Sequence, residues 1–150
     1  VEVMDRNGEI HQLDPEEFSI SYRSVGFPFP LWFLSCVMSF PEEGFTTIEE
    51  LKSMRDSRLE SQPLTENTCG SVFKNPDGNY SGDLIERSGL KGFRLGGCAV
   101  SEKHANFIVN DKEATASDIE TLIKHIQKTV KDHYGIDLET EVRIIGEYHE

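Results

Sequence analysis

The sequence predicts an α+β protein, and three observations carry that prediction. Residues 1–5 and 9–13 alternate apolar and polar side chains on either side of Asn7-Gly8, the pattern of a hairpin. Ile119, Leu122, Ile123, Ile126 and Val130 recur at the helical period, so a long amphipathic helix lies toward the C-terminal end. Around Gln62-Pro63 the character shifts, from a strand-rich part to a loop, a short helix, short strands and the long helix. A sheet packed against two main helices satisfies all three.

The elements follow in order. The first hairpin is expected to turn at Asn7-Gly8 in type I′ geometry, which needs positive φ at both central positions. Asp14-Pro15-Glu16-Glu17 is a helix start of one or two turns, with Asp14 as N-cap and Pro15 at the first helical position. Residues 28–40 (PFPLWFLSCVMSF) are the longest apolar run; Pro30, Ser35 and Ser39 break it, and 32–40 reads as a buried strand. Thr47 and Glu50 form a capping box that opens a helix through Leu51 and Met54, ending before Pro63. Residues 81–86 are a short helix stopped at Gly89. Residues 92–97 are glycine-rich, and 98–100 and 106–110 read as strands. Ser117, with Glu120 three residues on, opens the long helix, which Gly135 ends. Residues 138–145 alternate toward a last strand on which Glu141 and Arg143 share one face.

Composition removes several function classes. Lys plus Arg total 15 against 27 Asp plus Glu, and a net charge of -12 repels phosphate backbones, so nucleic acid is not an expected partner. A small anionic ligand needs only a local cluster of donors and stays open. No apolar run approaches the ~20 residues of a membrane-spanning helix, so no membrane partner is expected. Cys36, Cys69 and Cys98 are unpatterned and odd in number, which fits a reducing compartment, the cytoplasm. The five histidines show no metal-ligand spacing, and no metal site is expected. A chain of 150 residues suits one domain, or a small domain with part of another. It opens at Val1 without a basic segment and apolar core like those of a signal peptide, and reads as a fragment.

Chemistry concentrates in Gly70-Ser71-Val72-Phe73-Lys74-Asn75-Pro76, where a flexible glycine precedes a hydroxyl, a cation and an amide. A serine hydroxyl is a poor acid, so Ser71 would donate a proton only beside a cation such as Lys74 or to a very basic acceptor such as a carbanion. No Gly-x-Ser-x-Gly elbow surrounds it, which disfavours a hydrolase triad. A second cluster, Ser101-Glu102-Lys103-His104, follows Gly96-Gly97; it reads equally as a solvated turn and as part of a site. Gly97 suits close approach of a backbone or a ligand, and the spacing is not a dinucleotide fingerprint. Glu141 with Arg143, and Tyr22 with Arg23, read alone as surface pairs that contribute little.

Taken in order, these segments resemble one family. Tyr22-Arg23, the 70–76 loop, Leu84-Ile85-Glu86 with Gly89-Leu90-Lys91-Gly92, Gly96-Gly97, Val100-Ser101-Glu102-Lys103-His104-Ala105-Asn106-Phe107-Ile108-Val109-Asn110 and Glu141-Val142-Arg143-Ile144-Ile145-Gly146-Glu147 are similar to UDP-N-acetylenolpyruvoylglucosamine reductases. The resemblance covers essentially the whole chain. It implies that NADPH reduces bound FAD, and that the flavin then reduces UDP-N-acetylglucosamine enolpyruvate to UDP-N-acetylmuramate in peptidoglycan precursor synthesis. It further implies Ser71 as proton donor, with Arg23 and Glu141 at the substrate carboxylate and the developing enolate. Tyr22, Lys74, Asn75 and His104 fall where the family contacts the UDP-sugar.

The same resemblance divides the chain. Residues 1–62 would be the C-terminal half of an FAD-binding domain, 63–138 an α+β substrate-binding domain, and 139–150 a strand returning to the FAD domain. The family's glycine-rich flavin phosphate loops have no counterpart here, so they would lie in an N-terminal region of the same or another chain, and the cofactor-binding residues of this chain stay unassigned. Alone, such a fragment is expected to be inactive. No Tyr-rich insertion follows Arg23, which suits the shorter subtype. Ser61 stands where relatives often carry Lys, and Thr140 where Pro usually precedes the catalytic Glu. A truncated homologue without redox chemistry, serving as a UDP-sugar-binding or interaction module, is the alternative.

Overall fold

The structure is a computed structural model that describes residues 1–42, 44 and 46–146. Glu147 of the last motif, and residues 148–150 of the expected returning strand, lie outside the described residues. The chain forms two compact units, Val1–Phe45 and Thr46–Glu150, so the helix after Thr47 and the segment after residue 138 both group with the second. Helices and antiparallel strands are mixed throughout, as an α+β class requires.

In the first unit, strand β1 (Glu2–Asp5) pairs antiparallel with β2 (Ile10–Gln12), Glu2 opposite Gln12 and Met4 opposite Ile10. The hairpin forms as expected, but its turn differs: of Asn7-Gly8 only Gly8 has positive φ, 84°. The Asp5 carbonyl accepts from the Gly8 amide at 3.2 Å, and its carboxylate accepts the amides of Glu9 (2.9 Å) and Asn7 (2.8 Å). A three-residue loop ending in a left-handed glycine replaces the two-residue turn, because Asp5 satisfies the loop amides itself. The Glu9 and Asn7 amides hold the Asp5 carboxyl below its ordinary value.

Pro15–Glu17 is a single 3-10 turn, cut short because Phe18 is already extended. Strands β3 (Ser19–Ser21) and β4 (Ser24–Gly26) follow as a second hairpin. Strand β5 (Leu31–Ser35) covers the other edge of β1, giving the order β2-β1-β5. The expected buried strand over 32–40 is corrected in both length and exposure. Trp32, Phe33 and Leu34 are about half exposed, and Val37, Met38 and Phe40 more so. Among the described residues of this unit the buried apolar ones are Val3 and Leu13, too few to form a second layer against this edge strand. What order the run has comes from its rings: Phe33 stacks on Phe18 at 5.9 Å and meets Phe27 at 5.8 Å, while Phe29 lies 5.1 Å from His11.

The second unit opens with helix α1 (Ile48–Ser61) behind the expected capping box, Glu50 N donating to Thr47 Oγ1 at 3.1 Å and Thr47 N to Glu50 Oε2 at 2.7 Å. None of its residues is buried. Ser61 ends it by donating its hydroxyl to the Ser57 carbonyl at 3.0 Å. Then come β6 (Thr68–Ser71), helix α2 (Ser81–Arg87), β7 (Arg94–Leu95), β8 (Cys98–Val100), β9 (Phe107–Asn110) and helix α3 (Ala116–Tyr134). The sheet runs β6-β9-β8-β7, all antiparallel. The α3 stripe is buried as expected at Leu122, Ile123, Ile126 and Val130, against Val72, Phe73 and Val100 among others.

Two details of this unit correct the sequence reading. Helix α3 starts earlier, capped by Thr115 with Asp118 rather than Ser117 with Glu120: Asp118 N donates to Thr115 Oγ1 at 3.1 Å and Thr115 N to Asp118 Oδ2 at 2.9 Å. The pair Gly96-Gly97 explains why. A Cβ on Gly97 would stand 2.4 Å from the Ala114 nitrogen and the Lys112 carbonyl, and one on Gly96 2.5 Å from the Asp118 carboxyl. The close approach that glycine permits at Gly97 is to the backbone leading into α3. The second correction concerns residues 138–145, which form no regular strand: Thr140 makes one antiparallel bridge with Phe73, and residues 143–146 are exposed.

Candidate functional site

The site grows from the end of β6. Gly70 has φ 87°, a conformation that side chains rarely adopt and that lets the chain bend before Ser71. Ser71 pairs with Phe107 of β9 across a register shift, and its side chain is half-buried. Beyond it, residues 72–74 run between two partners. On one side Glu141 N donates to the Val72 carbonyl at 2.8 Å and Lys74 N to the Glu139 carbonyl at 2.9 Å. Neither bond uses the Thr140 amide, so a residue with no N–H suits that position as well as threonine does. On the other side Val72 N donates to the Asn106 carbonyl at 2.8 Å, Phe73 N to Asn106 Oδ1 at 2.9 Å, and Asn106 Nδ2 to the Phe73 carbonyl at 2.8 Å.

This ladder joins Ser71 and Glu141, residues 70 positions apart in the chain, through neighbouring backbone bonds at Val72. The loop then turns into α2. Asn75 Oδ1 accepts from the Ser81 amide at 3.0 Å, and the Ser81 hydroxyl donates to the Lys74 carbonyl. His104 closes on the same end of α2: a Cβ on Gly82 would lie 2.9 Å from His104 Cε1. Asn75 and His104, far apart in sequence, thus meet at α2, one turn of chain from Ser71.

Other candidates stand differently. The Lys74 ammonium pairs with the Glu139 carboxylate, so its charge is shared with a residue that sequence reasoning had not considered. Tyr22 and Arg23 belong to the first unit and form the turn between β3 and β4. Arg23 has φ 56° there, an uncommon conformation for a residue with a side chain, and its guanidinium lies 5.7 Å from the Tyr22 ring centroid. Asn106 and Ser81 were missed as site residues; nothing local in the sequence marks them, because their roles come from bonds to Phe73 and to the Lys74 carbonyl. Also missed was the approach of Asp5, Glu9 and His11 at the first hairpin, with ligand-type atoms within 4.8 Å of one another, although there the Asp5 carboxylate is already taken by loop amides.

His104 Nδ1 accepts from the Asn106 amide at 3.2 Å, which places the ring hydrogen of the neutral form on Nε2. Burial, with the Lys91 ammonium adding to it, pushes this imidazole below its ordinary 6.5. A histidine depressed on folding stabilises the fold above its ordinary value and withdraws that stability as pH falls through the depressed one. The melting temperature is therefore expected to decline as pH drops below 6.5, and His104→Gln, which keeps an acceptor for the Asn106 amide, to flatten that decline. Equal slopes for the two proteins in thermal melts across this range would contradict it.

Residues 62–145 match the family model described as UDP-N-acetylenolpyruvoylglucosamine reductase, C-terminal domain, a span that contains Ser71, Lys74, Asn75, His104 and Glu141. This chain belongs to that family. Reductases of that name from Alkalilimnicola ehrlichii and Legionella pneumophila strain Paris are 42% and 44% identical to it over 148 and 149 residues, 98% of the chain in each case. The chain spans about half the length of these curated relatives, 50% and 49%. A crystal structure of UDP-N-acetylenolpyruvylglucosamine reductase from Thermus caldophilus superposes with a TM-score of 0.65 at 32% identity, covering 93% of this chain and 50% of that one. Tyr22 and Arg23 lie outside the family-model match but inside the stretch shared with the two bacterial reductases, which takes in nearly the whole chain.

Proposed function

We propose that this chain is the substrate side of an FAD- and NADPH-dependent, cytoplasmic reductase. Its reaction converts UDP-N-acetylglucosamine enolpyruvate to UDP-N-acetylmuramate, a step of peptidoglycan precursor synthesis. The observation that carries the reading is the ladder that sets Ser71 beside the Glu141 segment, with Asn75 and His104 at the adjoining end of α2, in a chain of this family. Residues 63–138 are then the substrate-binding part, and residues 1–62 with 139–150 belong with a flavin-binding part. Among the described residues, the Gly96-Gly97 pair does not fit the flavin's phosphates: the space beside it is filled by backbone and by Asp118. Those groups are assigned to the half of the relatives that the chain does not span.

Reduction of the enolpyruvyl double bond adds a hydride at one carbon and a proton at its neighbour. The hydride is the cofactor's contribution and belongs to no residue here. The carbon left beside it has carbanion or enolate character, basic enough for a serine hydroxyl to protonate: the Ser71 O–H bond breaks as the new C–H bond forms. Arg23 and Glu141 act at the substrate carboxylate and the enolate, where charge develops during the reaction. Tyr22, Lys74, Asn75 and His104 hold the sugar nucleotide.

The chain alone is expected to purify without stoichiometric flavin absorbance and to oxidise no NADPH. Joined to the remaining half of the Legionella pneumophila reductase, it is expected to oxidise NADPH only when UDP-N-acetylglucosamine enolpyruvate is added. A chimera that binds flavin but shows no substrate-dependent oxidation would overturn the proposal. Stoichiometric flavin on the chain alone would overturn the assignment of the flavin site.

A further inference from the structure

We propose that Asn106 is the positioning residue of the Ser71 loop, acting as a substitute peptide group that closes the sheet where β9 ends. The inference rests on the reading of Ser71 as the proton donor. Its grounds are in the ladder. Phe73 and Thr140 face each other in the antiparallel pair that exchanges no bonds, so the Phe73 N–H and C=O point away from Thr140, toward the β9 side. Strand β9 begins only at Phe107, which pairs with Ser71, and its chain turns off through residues 101–106. The next rung of that ladder is therefore without a strand.

Asn106 supplies the rung. Its amide carries an acceptor and a donor at the spacing of a peptide, and it uses them on Phe73 N (2.9 Å) and the Phe73 carbonyl (2.8 Å), while its own carbonyl takes Val72 N at 2.8 Å. Asn106 is 5% exposed, so these bonds are shielded from water, and losing them leaves two buried backbone groups unpaired. The Asn106 backbone N–H also donates to His104 Nδ1 at 3.2 Å, which ties the sugar-nucleotide contact to the same rung. One residue thus fixes the path of residues 72–73 directly after the Ser71 hydroxyl and sets the ring of His104.

The test compares Asn106→Ala, Asn106→Asp and Ser71→Ala in this chain joined to the remaining half of the Legionella pneumophila reductase. Displacing a catalytic group by about 1 Å costs on the order of 100-fold, so Asn106→Ala is expected to lower kcat for substrate reduction about 10- to 100-fold. The KM for the sugar nucleotide is expected to change far less than kcat, flavin reduction by NADPH to stay normal, and the solvent deuterium isotope effect on the substrate step to rise as proton transfer becomes limiting. Asn106→Asp keeps the acceptor for Phe73 N but sets a buried carboxylate oxygen against the Phe73 carbonyl, so its kcat is expected to fall at least as far as that of Asn106→Ala. Ser71→Ala slow with both Asn106 variants normal overturns this inference alone; Ser71→Ala normal overturns the proton-donor reading and this inference with it. Equal loss in both half-reactions assigns Asn106 a general structural role and also overturns it. Should the variants fail to fold, hydrogen exchange of the unmodified chain decides: a Phe73 amide as protected as those of β9 supports the rung, and a fast-exchanging one overturns it.

Discussion

Ser71→Ala is expected to slow reduction of UDP-N-acetylglucosamine enolpyruvate by about 10²- to 10⁴-fold, the usual contribution of a positioned general acid. Reduction of the flavin by NADPH should proceed at its normal rate, because that half-reaction needs no proton from this hydroxyl. Rapid mixing that follows flavin absorbance separates the two: reduced flavin should form promptly and then persist when substrate is added. The structure adds a reason for the size of the effect. Ser71 follows a glycine at φ 87°, and the residues after it are bonded on both sides, so the hydroxyl is carried by a fixed strand rather than by a free loop. Equal losses in both half-reactions would mean that the mutation disturbs the structure and that Ser71 has no special part in the proton step.

Phe73→Ala is expected to produce the largest loss of stability, about 3–5 kcal/mol, the range for removing a buried aromatic ring. Phe73 is 1% exposed and lies in the core cluster with Ile85, Val100, Leu122 and Ile126. Its backbone is the rung shared by Asn106 and the Thr140 bridge, so the same residue anchors the core from its side chain and the site from its main chain. Urea denaturation should show a lowered midpoint with little change in slope. A loss below about 1 kcal/mol, typical of a surface position, would show that the loop is not held through this ring.

The sequence made the periodic elements legible. The α3 stripe, the Thr47–Glu50 cap and the stop at Gly135 depend on contacts within a few residues, and each forms as read. It failed where a distant partner decides the outcome. The apolar run at 28–40 looked buried because hydrophobicity records a preference for burial, not whether a second layer is present to provide it. The alternation at 138–145 looked like a strand, but only Thr140 finds a bridge partner. Within the candidate site, Ser71, Asn75, His104 and Glu141 were singled out through their resemblance to a family. The residues that hold them, Asn106, Ser81 and Glu139, could not be, since their roles arise from bonds spanning 7 to 65 positions.

The most direct test is a titration of UDP-N-acetylglucosamine enolpyruvate into the isotopically labelled chain, followed by amide nuclear magnetic resonance. If this chain is the substrate side of the reductase, the amides of Ser71 to Asn75, Ser81, His104 and Glu141 should shift together along one saturating curve. Saturable shifts confined to other residues, or none at concentrations where a full-length relative binds, would contradict the account.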